Sequence, residues 1–133
     1  FPATVPWPKR ARRPLTGRWP HAVSDRGTSA MIHVIAIITA KPGMREAVLK
    51  EFRANMPAVH AEQGCIEYGP AIDAEGIGRI QTPFGPDTFV VIEKWESAEA
   101  LKAHGAAPHM AAYAAKTKDM IASRVIHVLS PAA

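Results

Sequence analysis

Cysteine is almost absent from this sequence, in which Cys65 is the only one among 133 residues. A lone cysteine forms no internal disulfide and no Cys-x-x-Cys metal site, and this usage fits the reducing cytoplasm. No apolar run approaches the roughly 20 residues of a membrane-spanning helix. The histidines outside the segment discussed below have no companions at metal-ligand spacing, and a glycine-rich dinucleotide fingerprint is missing. We therefore expect a cytoplasmic protein with no metal, no other cofactor and no membrane partner.

Excess positive charge is confined to the first 30 residues. The chain has a formal net charge of +4, but residues 1–30 hold six basic side chains and one acidic side chain. The remaining ten basic and eleven acidic side chains lie in residues 31–133. Because this larger part is close to neutral, its charge gives no reason to propose a nucleic-acid partner.

The composition also separates the first 30 residues from the rest. They contain five of the twelve prolines and two of the three tryptophans, Trp7 and Trp19, without apolar periodicity. We interpret residues 1–30 as a Pro/Arg-rich N-terminal extension upstream of a natural start at Met31, and residues 31–133 as one domain. We expect this domain to fold without the extension.

Hydrophobic patterning in residues 31–133 predicts an alternation of strands and helices. The predicted strands are Met31–Thr39, Cys65–Asp73, Thr88–Trp95 and Arg124–Ser130, with a further short strand possible at 78–82. A helix is expected from Met44 to Gly64, with a kink or break at Pro57. The first strand is apolar on both faces and should be internal, whereas Gly69 and Pro70 suit an edge strand. The order βαββαβ predicts the ferredoxin-like α+β fold.

Two short helices are expected between the third and fourth strands. Ser97 is a suitable N-cap for the first of them, Gly105 can adopt the positive φ that ends it, and Pro108 can begin the second. His104 then lies at a helix C-terminus and His109 at a helix N-terminus. The helix dipoles at these positions favour a protonated and a neutral imidazole, respectively.

Both faces of the predicted strands are apolar, although helices can cover only one face of the sheet. The alternating residues that leave little polar surface for the other face are Ile35, Ile37, Val90, Ile92 and Val125. A large uncovered apolar face is unusual in a monomer. We therefore expect a homodimer in which two sheets pack face to face into a β-barrel-like core, with a ligand cavity between sheet and helices in each subunit.

Four segments together resemble the antibiotic biosynthesis monooxygenase family, in particular its small quinol monooxygenases. They are EQGCIEYGPAID (62–73), IEKWES (92–97), LKAHGAAPHMAAY (101–113) and RVIHVLSP (124–131). The resemblance covers residues 31–131. It implies a dimeric α+β barrel that oxidises quinols or related hydroxyaromatics with O2, without metal, flavin or heme.

The resemblance also implies a pocket role for at least one of two histidines. His109, expected to be the more neutral imidazole, is the candidate base that deprotonates the quinol. His104 is the candidate that stabilises the resulting anion. A solvated or capping histidine is the alternative interpretation for each.

A second group of residues is expected to contact the substrate. This group comprises Trp95, Tyr68, Tyr113 and Met110. Trp95 is either an aromatic wall of the pocket or a core indole. The tyrosines either donate hydrogen bonds to a quinone oxygen or line the rim of the barrel.

Two other functions are compatible with the same cavity. A non-catalytic module that binds small aromatics or quinones needs the cavity but no base. An isomerase-type enzyme on the same scaffold would act on a polar metabolite. Oxygen uptake with a reduced naphthoquinol separates the monooxygenase from both.

Overall fold

The computed structural model describes residues 31–133, which form one four-stranded sheet and three helices. The strands are β1 (Ile32–Ala40), β2 (Cys65–Ala71), β3 (Thr88–Trp95) and β4 (Ile121–Leu129), and the helices are α1 (Arg45–His60), α2 (Ala98–Gly105) and α3 (Pro108–Thr117). This order confirms the predicted ferredoxin-like α+β arrangement. No helix in this range is long and apolar enough to cross a membrane. The predicted N-terminal extension, with Trp7 and Trp19, lies outside the described residues.

β1 is a central strand, as its two apolar faces predicted. The strand order is β2-β3-β1-β4, with antiparallel pairing throughout. Ile35 of β1 lies opposite Ile92 of β3 and His127 of β4. β2 carries Gly69 and Pro70 and lies at an edge, where a proline removes no hydrogen bond from the sheet interior.

The core lies between the inner face of the sheet and α1. Alternate residues of the two central strands point inward and are buried; they are Val34, Ala36, Ile38, Ala40, Phe89, Val91, Glu93 and Trp95. The buried residues of α1 are Val48, Leu49, Phe52 and Val59. The Phe52 ring stacks on Tyr68 of β2 at a centroid distance of 5.1 Å. Each large apolar side chain that is fully buried stabilises the fold by about 1.5–3 kcal/mol, which fixes α1 against the sheet.

α1 continues through Pro57, so the chain is not broken there. Pro57 lies in the last turn of a helix that ends at His60, and the Ala61 N–H still donates to the Pro57 carbonyl (3.1 Å). The helix does not extend to Gly64 as predicted. Gly64 lies in the turn into β2 with a φ of +89°, and a Cβ added there would be 2.6 Å from the Ala100 Cβ. This position therefore requires glycine both for its backbone and for the close approach of α2.

The segment between β2 and β3 contains no strand, so the predicted strand at 78–82 is wrong. The Asp73 carboxylate accepts hydrogen bonds from the N–H groups of Phe84 (2.9 Å) and Gly85 (2.8 Å). These hydrogen bonds hold the pKa of Asp73 below its ordinary value. Arg45 donates to the Gly85 carbonyl (3.3 Å) from the start of α1. Because Asp73 participates in this loop, β2 ends at Ala71.

The helix pair follows the predicted boundaries with one exception. The Ser97 Oγ accepts a hydrogen bond from the Ala100 N–H (3.1 Å), and Pro108 is the first residue of α3. Gly105 is the last residue of α2, but its φ is not positive, so that prediction is wrong. The chain leaves α2 through Ala106, whose φ is −97°.

The face of the sheet opposite the helices carries apolar side chains, as predicted. Ile35 and Ile37 are half-buried, whereas Ile92, Val125 and Leu129 are exposed. Exposed apolar side chains grouped on one face of a sheet are typical of a protein–protein interaction site. The homodimer expected from it remains a prediction.

Candidate active site

A cavity of about 860 Å³ lies between the inner face of the sheet and the helices. Its apolar wall includes Val34, Ala36, Ile38, Val91, Met110, Ile126 and Val128. β4 begins at Ile121 rather than at the predicted Arg124, and Ile121 also lines the cavity. The volume is within the range of small-molecule sites, and an apolar wall suits an aromatic ligand.

Three polar side chains form one part of the cavity wall, and they are Tyr68, Glu93 and His104. Tyr68 of β2 and Glu93 of β3 are direct partners in the sheet register. His104 comes from the last turn of α2, and its ring centroid is 5.4 Å from that of Tyr68. Burial raises the pKa of Tyr68 far above its ordinary value, with a smaller contribution from the charge of Glu93. The Tyr68 hydroxyl is therefore a neutral hydrogen-bond donor.

Glu93 is a buried carboxyl group in contact with an indole. Its Oε1 accepts a hydrogen bond from Trp95 Nε1 (2.9 Å). Burial raises the pKa of Glu93 and outweighs the opposing effects of this hydrogen bond and of His104. Burial thus favours the protonated form of Glu93 more than water does. In that form the carboxyl group can donate a hydrogen bond as well as accept one.

His104 is buried and held by a carboxylate. Its Nδ1 lies 3.0 Å from Glu62 Oε1 and 3.3 Å from Glu62 Oε2. A carboxylate only accepts hydrogen bonds, so Nδ1 carries the proton and Nε2 of the neutral ring is an acceptor. Within residues 31–133, Nε2 has no hydrogen-bond partner. The ring also lies against Trp95 at a centroid distance of 4.7 Å. The contact with Glu62 therefore fixes the orientation of the His104 ring at the cavity wall.

His109 contacts the same carboxylate but does not line the cavity. Its Nε2 is 2.6 Å from Glu62 Oε2, which is close enough for an ion pair. The contact does not have the geometry of a hydrogen bond. The two histidines do lie at opposite helix ends, as predicted. Glu62 nevertheless joins them into one cluster, so the helix dipoles do not act on two independent rings.

The remaining predicted contacts divide between the cavity and the core. Trp95 is fully buried and does not line the cavity, which corresponds to the core-indole interpretation. Met110 and Tyr113 of α3 both line the cavity. Tyr113 also packs edge-on against Phe52 at a centroid distance of 6.1 Å.

Sequence reasoning missed the two carboxyl groups of this site. Glu93 could have been found, because every second residue of β3 points inward and Glu93 lies in the same series as Phe89, Val91 and Trp95. Glu62 had no such signal, since its contact with His104 joins residues 42 positions apart.

No group of three or more His, Cys, Asp or Glu side chains in residues 31–133 is arranged to hold a metal ion. The candidate site is instead one oriented histidine, one carboxylate behind it, and two further polar groups beside an apolar cavity. Such an arrangement can accept a proton from a bound hydroxyl group and hold the resulting anion.

Comparisons with known proteins agree with this fold. Residues 31–116 match the family model described as antibiotic biosynthesis monooxygenase. The "Probable quinol monooxygenase YgiN" of Escherichia coli (strain K12) is 40% identical over 103 residues, which cover 76% of this chain and 98% of that protein. The crystal structure of PA3566 from Pseudomonas aeruginosa is similar with a TM-score of 0.65 and 28% identity, covering 79% of this chain and 97% of that one. The structure of Rv0793 from Mycobacterium tuberculosis has a TM-score of 0.64 and 26% identity, covering 78% and 97%.

Proposed function

This chain belongs to the antibiotic biosynthesis monooxygenase family, and we propose that it is a cofactor-independent monooxygenase that oxidises quinols or related hydroxyaromatics with O2. The observation that supports this proposal is the Glu62–His104 pair at the wall of an apolar cavity. A base and a dry cavity are the groups that such a reaction needs from the protein. The name of the Escherichia coli relative supports a quinol as the substrate.

The first step is removal of a proton from the substrate hydroxyl. His104 Nε2 accepts this proton, and the Glu62 carboxylate stabilises the imidazolium through Nδ1. This role replaces the expectation that His109 is the base, because His109 does not line the cavity. A positioned base of this kind typically accelerates a reaction by about 10²–10⁴-fold.

Tyr68 and Glu93 lie beside His104 at the cavity wall and orient the substrate anion. The Tyr68 hydroxyl donates to an aromatic oxygen that has lost its proton, and Glu93, whose pKa is raised by burial, can donate in its protonated form. Their hydrogen bonds hold the substrate so that its ring lies against the apolar wall.

The proposed reaction balances without a further reductant. One oxygen atom of O2 forms a bond to a ring carbon, whose hydrogen is lost, and the other oxygen leaves as water. The product is a hydroxyquinone. Hydroxylation and oxidation of the quinol each supply two electrons, so the substrate provides all four electrons that reduce O2.

We also propose that the enzyme is a homodimer. The apolar face of the sheet, which includes the exposed Ile92, Val125 and Leu129, supports this proposal. Packing two such faces together would remove them from water, at a gain of roughly 25 cal/mol per Å² of apolar surface.

Oxygen uptake with a chemically reduced naphthoquinol tests the function, after the spontaneous rate is subtracted. The wild type should consume one O2 per quinol and keep its activity after treatment with EDTA. His104→Ala should lower kcat about a hundredfold or more, while His109→Ala should lower it less than tenfold.

Three results would contradict these proposals. Activity that disappears with EDTA and returns with a metal would exclude cofactor independence. Quinone binding without oxygen uptake would favour the binding module. If both histidine variants kept wild-type turnover and affinity, neither ring would be the base, and Tyr68 and Tyr113 would be tested next.

A further inference from the structure

The cavity also contains a cationic region, formed by Lys118 and Arg124. Both side chains line the cavity, Lys118 just after α3 and Arg124 on β4. None of the ion pairs within residues 31–133 involves either side chain. Lys116 of α3 differs in this respect, since its Nζ is 3.9 Å from Glu51 Oε1. The two cations are therefore available to a ligand.

The sheet register separates this region from the catalytic groups. Glu93 of β3 lies opposite Val34 of β1, whereas Arg124 of β4 lies opposite Ile38 of β1. Four residues along a strand correspond to about 13 Å at roughly 3.3 Å per residue. The interval is lined by apolar side chains such as Ala36. One or two aromatic rings fit between the two polar regions.

Tyr113 adds a donor to the cationic region. Burial raises the pKa of Tyr113 to about 12, although the nearby Arg124 charge acts in the opposite direction. Glu51 is the other charged group that acts on Tyr113, and it lies next to Lys116. The Tyr113 hydroxyl therefore stays protonated at neutral pH and can donate a hydrogen bond toward a ligand beside Arg124.

We propose that the preferred substrate is a hydroxyaromatic carboxylate whose carboxylate binds Arg124. This proposal rests on the proposed function and specifies its substrate class. A guanidinium group binds a carboxylate through two parallel hydrogen bonds, which gives both affinity and a fixed orientation. With its carboxylate at Arg124, such a substrate extends along the apolar wall and places its hydroxyl group toward His104.

The test is binding of two probes that differ only in charge. The first is 6-hydroxy-2-naphthoate, and the second is its neutral carboxamide, which has the same shape. Because neither probe is a quinol, the dissociation constants measured by calorimetry do not depend on turnover. The wild type should bind the acid at least about tenfold more tightly than the carboxamide, as expected for a charge-assisted hydrogen bond.

Arg124→Gln should remove this preference and leave the affinity for the carboxamide unchanged. Arg53→Gln is the matched control, since Arg53 lies on α1, pairs with Glu46 at 3.0 Å and does not line the cavity. This control should keep the full preference for the acid. Increasing the salt concentration should weaken binding of the acid alone.

The possible outcomes separate this proposal from the proposed function. Equal affinities for the two probes, no binding of either probe, or an unchanged preference in Arg124→Gln would overturn the carboxylate site. Quinol turnover could persist in each of these cases. A preference for the acid that depends on Arg124, in a protein that consumes no oxygen, would instead support the carboxylate site and contradict the monooxygenase.

Discussion

Replacing Glu62 with Gln tests whether the carboxylate behind His104 contributes to catalysis. The variant keeps the shape of the side chain and an oxygen that accepts the proton of His104 Nδ1, but it removes the negative charge. Side-chain exposures of 7% for His104 and 16% for Glu62 leave little screening by water. A hydrogen bond to a charged group contributes about 1.5–3 kcal/mol and a neutral one about 0.5–1.5 kcal/mol. We therefore expect Glu62→Gln to reduce the stabilisation of the protonated His104 ring by about 1–1.5 kcal/mol.

This loss corresponds to a decrease in kcat of about tenfold. KM should change little, because Glu62 is not part of the cavity wall. Steady-state oxygen uptake gives both constants, and urea denaturation checks that the variant is folded. In a His104→Ala background, Glu62→Gln should have no further effect on kcat, since the carboxylate acts through that ring.

Two results would refute this reasoning. An unchanged kcat in Glu62→Gln would show that the charge does not assist the base. An equal decrease of kcat with and without the His104 ring would show that Glu62 supports the fold rather than the imidazole.

Three further predictions concern stability and assembly. Gly64→Ala should destabilise the fold by about 2–4 kcal/mol, because it combines positive φ with a clash, whereas Gly43→Ala, at a φ of +79° with no atom within 4 Å, should cost about 1–2 kcal/mol. Equal losses in urea denaturation would contradict the close approach. Since burial raises the pKa of Glu93, its contribution to wild-type stability should fall as pH rises from 4.5 through the higher pKa of the folded state. The free energy of unfolding of Glu93→Gln should therefore increase relative to that of the wild type across this window. A difference in unfolding free energy that does not change with pH would contradict the raised pKa. Light scattering should detect a homodimer that Ile92→Lys dissociates and Ile80→Lys, on the loop before β3, does not; a wild-type monomer at micromolar concentration would exclude the dimer.

Most of the fold was predictable because its signals are local. β3 has the predicted bounds, since period-two alternation defines the strand and Ser97 caps the helix that follows. The prediction of a break at Pro57 was wrong, because a proline removes only one helical hydrogen bond and the burial of Val59 holds the last turn of α1 in place. The alternative, a kink at Pro57, stays a prediction. The helix end at Gly64 was wrong because this glycine serves the turn into β2.

The site was only partly predictable, because its geometry depends on contacts between distant segments. Ser97 and Pro108 allowed the sequence to place the two histidines at helix termini. Which ring lines the cavity depends on how α2 and α3 pack on the sheet, and no local pattern encodes that packing. The same holds for Glu62, which approaches both rings from the turn after α1.

The turn at Gly64 has a consequence for how the activity can evolve. Its carbonyl accepts a hydrogen bond from the Glu96 N–H (2.9 Å), and its missing side chain leaves room for Ala100. Backbone contacts thus join the segment that carries the carboxylate to the helix that carries the base. Much of the opposite wall, including Ile126 and Val128, belongs to β4 and takes no part in this junction. Random substitution of these two residues can therefore diversify substrate preference while the proton-transfer machinery is inherited intact.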